Sequence, residues 1–163
     1  TILFSGTAQS AARQAQAELA ERWGVAAELW STTSYKLLRE QAMEVERWNR
    51  LHPTEPPQTP RVTDLLAGSA GPVVAVTDFM RTVPDQIARW IPSGRSYTSL
   101  GTDGYGRSDA REALRHYFET NAAQVVVAVL SALTAEGAVP AETAAAAIAH
   151  HGIDVDAPVP LHD

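Results

Sequence analysis

The chain contains no cysteine. That absence excludes structural disulfides, thiolate metal sites and thiol nucleophiles together. Positive charge is also short: 13 basic residues against 19 acidic ones give a formal net charge of −6. An acidic surface repels phosphate backbones and anionic lipid, so neither nucleic acid nor a membrane is an expected partner. No apolar run approaches the roughly 20 residues of a membrane span. Initiating Met and signal-peptide pattern are both missing. The first residue, Thr1, stands directly inside an apolar run, and this start suggests a piece cut from a longer chain. There is no internal repeat, no low-complexity linker and no G-x-S-x-G nucleophile elbow.

What is present reads as one domain. The 163 residues are enough for one sizeable core, and 45% hydrophobic with 20% charged residues is ordinary for a globular protein. Thr1 to Ser5 is a short continuous apolar run of the kind buried on both faces of a parallel sheet. Gly6 and Thr7 make a turn, with Thr7 the expected N-cap of a helix carrying Ala8, Ala11, Ala12, Ala15, Leu19 and Trp23, which Gly24 closes. Val25 to Ser31 is read as a second strand, completing a strand–helix–strand unit.

A charged helical stretch follows from Tyr35 to Arg50, and Pro53, Pro56, Pro57 and Pro60 force an extended connector. Val62 to Ala67 suits a short helix, Pro72 to Thr77 a buried third strand, and Tyr97 to Leu100 a fourth, with a helix through Ile87 and Trp90 between the last two. Asp109 and Glu112 form a D-x-x-E capping box for a helix through Phe118. Val125 to Leu130 has the composition of a strand, but Val125, Val126, Val129, Leu130 and Leu133 share a helical face; Asn121 and Gln124 supply its cap and Gly137 its stop. Pro140 starts an Ala-rich last helix. Alternating strands and helices predict a three-layer open α/β sheet with helices on both faces, one domain over residues 1–153 and a tail over 154–163.

Candidate chemistry is sparse. The S-G-T-A turn at Ser5 to Ala8 lies where phosphates bind in α/β folds, but it has one glycine rather than three and lacks a P-loop Lys, so it is read as a tight crossover turn. Asp78 after the third strand makes no Mg²⁺ site alone, and Ser5, Gly6 and Thr7 stand where a receiver domain carries an acidic pair. The histidines are His52, His116, His150, His151 and His162; none shows i, i+4 zinc spacing, and His150 with His151 suits the negative end of a helix, so no metal site is predicted. The most informative stretch is G-T-D-G-Y-G-R-S-D, Gly101 to Asp109, leaving the C-terminal end of a strand. Gly101, Gly104 and Gly106 let the backbone turn sharply, while Asp103, Tyr105 and Arg107 add opposite charges and an aromatic. The residues leave two readings open: a structural loop whose Asp and Arg pair with each other or cap a helix, or a loop that approaches another surface.

At this loop the chain resembles a known family. Leu100 to Asp109 (L-G-T-D-G-Y-G-R-S-D) is similar to a motif near the C-terminus of homodimeric thiamine-diphosphate-dependent pyruvate dehydrogenases, with Tyr105 where many members have Phe. Arg111, Leu114, Arg115, Phe118 and the Val125 to Val127 run continue the pattern. Three more stretches fit in order: E-R-W-N-R-L-H-P at Glu46 to Pro53, T-D-F-M at Thr77 to Met80 and I-D-V-D at Ile153 to Asp156.

The resemblance implies a transketolase C-terminal-like domain, with a mostly parallel sheet and one antiparallel edge strand. It implies a cytoplasmic enzyme whose thiamine diphosphate and Mg²⁺ lie between two other domains, so that none is bound by this chain alone. The whole enzyme would decarboxylate pyruvate and pass the acetyl group to a lipoyl-bearing acyltransferase. The chain's partners would be the remaining domains of the same polypeptide, a homodimer partner and that acyltransferase. No catalytic, cofactor-binding or metal residue is expected here. Gly101, Asp103, Gly104, Tyr105, Gly106 and Arg107 would lie at a domain interface or active-site entrance. The alternatives are a domain or split-gene subunit of another transketolase-type enzyme, or a free-standing nucleotide-binding domain.

Overall fold

The computed structural model describes residues 1–160. Four short strands form one parallel sheet: β1 (Ile2–Phe4), β2 (Leu29–Ser31), β3 (Val73–Val76) and β4 (Tyr97–Leu100), in the order β2-β1-β3-β4. Side chains alternate across it. Ile2, Phe4, Val74 and Val76 face one layer, while Leu3, Val73 and Ala75 face the other. A strand buried on both faces needs apolar residues at every position, which is why β1 and β3 read as continuous hydrophobic runs.

The helices are sorted by the direction of the crossovers. The step from β1 to β2 moves one way along the sheet, and the steps from β2 to β3 and from β3 to β4 move the other way. Crossovers of one hand then put α1 (Gln9–Trp23) on one face and α2 (Tyr35–Leu51) with α3 (Arg61–Leu66) on the opposite face. The short α4 (Thr82–Asp85) and a 3₁₀ turn (Ala88–Trp90) share the second face, where Ile87 and Trp90 are buried. After β4 the chain returns to the first face as α5 (Arg111–Tyr117), α6 (Ala122–Ala135) and α7 (Ala141–His151).

The expected antiparallel edge strand is not found among the described residues: both edge strands, β2 and β4, pair in parallel. The β-branched run after β4, Val125 to Leu130, has i, i+3, i+4 spacing that commits it to α6. Asn121 caps that helix by accepting from Gln124 N at 3.0 Å, as the sequence suggested. By length and mean hydropathy the stretch Arg111–Ala135 could span a bilayer. It is instead two helices, separated at Glu119 by a positive φ of 56°, and α6 buries Val125, Val126, Val129 and Leu130 against the core.

Two caps differ from expectation. Thr7 does not cap α1; Ala8 holds that position, because the chain first makes a 3₁₀ turn over Gly6–Ala8. Asp109 does not cap α5 either. Ala110 is the N-cap residue, and the Asp109 carboxylate accepts only from the Ala110 amide at 2.6 Å. The second strand is shorter than read, Leu29–Ser31, since Gly24 in the left-handed conformation (φ 67°) opens a loop first. The helix expected through Ile87 and Trp90 is broken into α4 and the 3₁₀ turn. Residues 154–160 form no helix or strand, and residues 161–163 of the expected tail lie outside the described residues.

On the second face the polar groups of the large aromatics reach partners unevenly. Trp90 Nε1 donates to Glu46 at 2.9 Å and Tyr97 donates to Pro84 O at 2.8 Å. The Tyr35 hydroxyl is buried beside Thr32 without hydrogen-bond geometry, and desolvation pushes it up to about 12.

Candidate functional site

In an open α/β sheet the crevice for a ligand lies beyond the carboxyl ends of the strands where the strand order reverses. Here that point falls between β1 and β3. Just past the strand ends, Ser5 Oγ and Thr77 Oγ1 are 2.7 Å apart and buried. One residue further, the exposed Asp78 side chain reaches across to the turn after β1. Its Oδ2 accepts from Thr7 N at 3.3 Å and from Thr7 Oγ1 at 3.2 Å. A carboxylate of the chain itself therefore sits on the donors that would otherwise meet a phosphate. Gly6 is required by this closure: its φ is +58°, and a Cβ there would collide with the Asp78 carboxylate.

The loop after β4 crosses the same edge and divides into a root and a tip. The root is fixed. Gly101 is buried against the segment after β3, and a Cβ would stand 2.6 Å from Phe79 O and 2.9 Å from Arg81 N. Thr102 N donates to Phe79 O at 2.9 Å, and Thr102 Oγ1 donates to Asp78 O at 2.8 Å. Asp103 Oδ1 accepts from Arg81 N at 3.0 Å, and its Oδ2 lies 3.2 Å from Arg81 Nε as an ion contact outside hydrogen-bond geometry. Asp103 thus pairs with Arg81 and not with Arg107.

The tip is open. Gly104 turns with φ 91°, Tyr105 is 82% exposed, and Gly106 and Arg107 are exposed. The Arg107 guanidinium lies over the Tyr117 ring, 4.0 Å from its centroid, a cation–π contact on α5. Behind the tip is an open cleft of about 430 Å³, whose walls include Thr7, Asp78, Tyr105, Arg107, Arg111 and Arg115. Arg115 bridges its walls: Nη2 donates to Thr7 O at 2.9 Å and Nη1 to Ser10 Oγ at 3.1 Å.

The structure brings all six candidate residues to one sheet edge, in two roles: Gly101 and Asp103 anchor, and Gly104, Tyr105, Gly106 and Arg107 project. Sequence reasoning missed Thr7, Arg81 and Arg115 as parts of this edge, and left Asp78 without a role. An acidic residue directly after a wholly buried strand was the available signal for Asp78. Arg115 donates to residues more than 100 positions away, which no local pattern reports. Phe79 and Met80, 55% and 54% exposed, extend the edge as uncovered apolar surface.

Residues 1–121 match the family model described as transketolase-like TK C-terminal domain. The chain is 48% identical over 153 residues, 94% of its length, to the pyruvate dehydrogenase E1 component of Mycolicibacterium smegmatis. It is 43% identical over 98% of its length to the protein of that name from Pseudomonas aeruginosa, and 41% identical over 95% to that of Escherichia coli K12. The chain spans only 16%, 18% and 17% of those relatives' lengths, respectively. The parallel sheet, the loop after its fourth strand and these similarities together make this chain a member of the transketolase-like C-terminal domain family.

Proposed function

We propose that this chain is the C-terminal domain of a pyruvate dehydrogenase of the E1 type and serves as its scaffold, with the loop tip Gly104–Arg107 turned toward a neighbouring domain or the active-site entrance. The observation that carries the reading is the state of the sheet's functional edge. The switch-point donors are already spent on Asp78, while Tyr105, Phe79 and Met80 expose apolar surface beside Arg107. Uncovered aromatic surface rimmed by charge is the character of a contact face.

Thiamine diphosphate with Mg²⁺ does not fit the residues here. A diphosphate needs free amide donors and a magnesium ion needs free carboxylates, whereas Thr7 N is held by Asp78 and Asp103 by Arg81. In this reading the cofactor belongs to other domains of the same cytoplasmic polypeptide. The enzyme works as a homodimer, decarboxylates pyruvate and passes acetyl to a lipoyl-bearing acyltransferase. No residue of this chain acts as acid, base or nucleophile.

The test is Arg107→Ala made both in this chain and in the full-length enzyme. In the chain, melting temperature is expected to move little, since an exposed charge contact contributes about 0.5–1 kcal/mol. In the full-length enzyme, turnover or dimer assembly is expected to fall. Unchanged assembly and turnover would refute the role of the tip. A rise in the chain's melting temperature with thiamine diphosphate and Mg²⁺ would refute the assignment of the cofactor elsewhere; at a hundred times its Kd, a ligand adds about 2.7 kcal/mol.

A further inference from the structure

The first and last helices meet at a cluster that neither the sheet edge nor the family match accounts for. The buried stripe of α7 runs Ala144 and Ala147, with the half-buried His151 one turn on; that of α1 runs Ala11, Ala12, Ala15 and Leu19, with Glu18 on its flank. Where the stripes end, His151 Nε2 lies 2.9 Å from Glu18 Oε1, across 133 residues of sequence. Both side chains are mostly covered, at 16% and 23% exposure. His150 is exposed beside them, its ring centroid 4.9 Å from that of His151. One possible ligand atom from each of Glu18, His150 and His151 lies within 4.8 Å of the other two.

We propose that Glu18, His150 and His151 form a binding site for one divalent transition cation, Zn²⁺, that ties α7 to α1. Two imidazole nitrogens and one carboxylate oxygen make a borderline donor set that suits zinc and disfavours the all-oxygen cations Ca²⁺ and Mg²⁺. A tetrahedral ion with bonds of about 2.0–2.2 Å keeps its ligands roughly 3.3–3.6 Å apart, against the present separations of at most 4.8 Å.

Two features prepare the site. Trp23 Nε1 donates to Glu18 Oε1 at 3.1 Å and orients the carboxylate, as an outer partner does for a metal ligand. Gly152, at φ 60°, ends α7 directly after His151, so both histidines stand at the helix's negative end, which favours a cation. An open depression walled by Gln14, Glu18, Glu21, Arg22 and His150 leaves water access to a fourth position. Arg22 is the one opposing charge there, and Glu21 offsets it. Adjacent histidines lack the i, i+4 zinc spacing, so only packing of α7 on α1 brings in the third ligand.

The experiment is calorimetric titration of the full chain with Zn²⁺, alongside His150→Gln and the double variant Glu18→Gln with His150→Gln. One ion per chain is expected to bind and to raise the melting temperature by about 5–10 °C at a hundredfold excess over Kd. Ca²⁺ and Mg²⁺ should do neither. His150→Gln keeps the Glu18–His151 contact, so its metal-free melting temperature should match the parent while its Kd rises at least tenfold. The double variant should bind more weakly still. No binding by the parent, or parent-like affinity in the double variant through His52, His116 or His162, would overturn the site.

Discussion

Two connections leave the same edge of the sheet, and they have opposite characters. The turn after β1, Ser5 to Ala8, is short and closed on itself: its amide and hydroxyl bind Asp78, and its glycine is fitted to that carboxylate. The loop after β4 is fixed at Gly101–Asp103 and uncovered from Gly104 to Arg107. Both leave the carboxyl ends of strands, where ligands of α/β folds bind; the sequence marked the turn as a tight crossover and the loop as the stretch that could approach another surface. The difference teaches that location at the switch point of an α/β sheet does not make a site. What matters is whether the donors there are free, and in this chain an internal anion has taken them.

The comparison can be broken most severely at Gly6. Gly6→Ala places a Cβ in the left-handed region, costing about 1–2 kcal/mol, and forces Asp78 off Thr7, losing about 1–2 kcal/mol more. We expect the melting temperature to fall by roughly 5–15 °C for a chain of this size. A fall under about 3 °C would mean that the turn is not held by its fit to Asp78.

Asp78→Ala should cost less, about 1 kcal/mol, because Thr7 is exposed and water replaces the lost acceptor. This variant also sharpens the contrast. With the internal anion gone, millimolar inorganic phosphate is expected to raise the variant's melting temperature and leave the parent's unchanged. An equal response in both would show that Asp78 does not occupy the turn's anion position. The smallest effect belongs to the loop tip. Tyr105 is 82% exposed, so Tyr105→Ala should change the chain's stability by less than about 0.5 kcal/mol. A larger loss in denaturant titration would move the tip to the anchored half of the loop.

The sequence by itself determined the elements that depend on neighbours in the chain. Val73–Val76 is apolar at every position, and its shortness between turn residues reads as a strand buried on two sides. The spacing of Val125, Val126, Val129 and Leu130 prevailed over their β-branched composition and made α6 a helix. Asn121 began α6 and Gly24 ended α1 as short-range chemistry requires. The sequence also singled out the loop Gly101–Arg107, because three glycines around charges and an aromatic exceed what a core connection needs.

Only the tertiary structure decided which partners those residues take. Asp103 and Arg107 stand four positions apart in sequence, yet one pairs with Arg81 and the other stacks on Tyr117. Thr7 and Asp109 had the residue type of helix caps, but a 3₁₀ turn and Ala110 took those positions. Arg95 reaches Gly71 O, Leu66 O and Thr1 Oγ1 at 2.6, 2.6 and 2.7 Å, binding the opposite end of the sheet through three separate segments. Glu18 meets His151 across almost the whole chain. Helix and strand periodicity arise from backbone geometry within a few residues. A hydrogen bond or ion pair depends on distances of about 3 Å between side chains, and across long sequence separations only the packed sheet and helices set those distances.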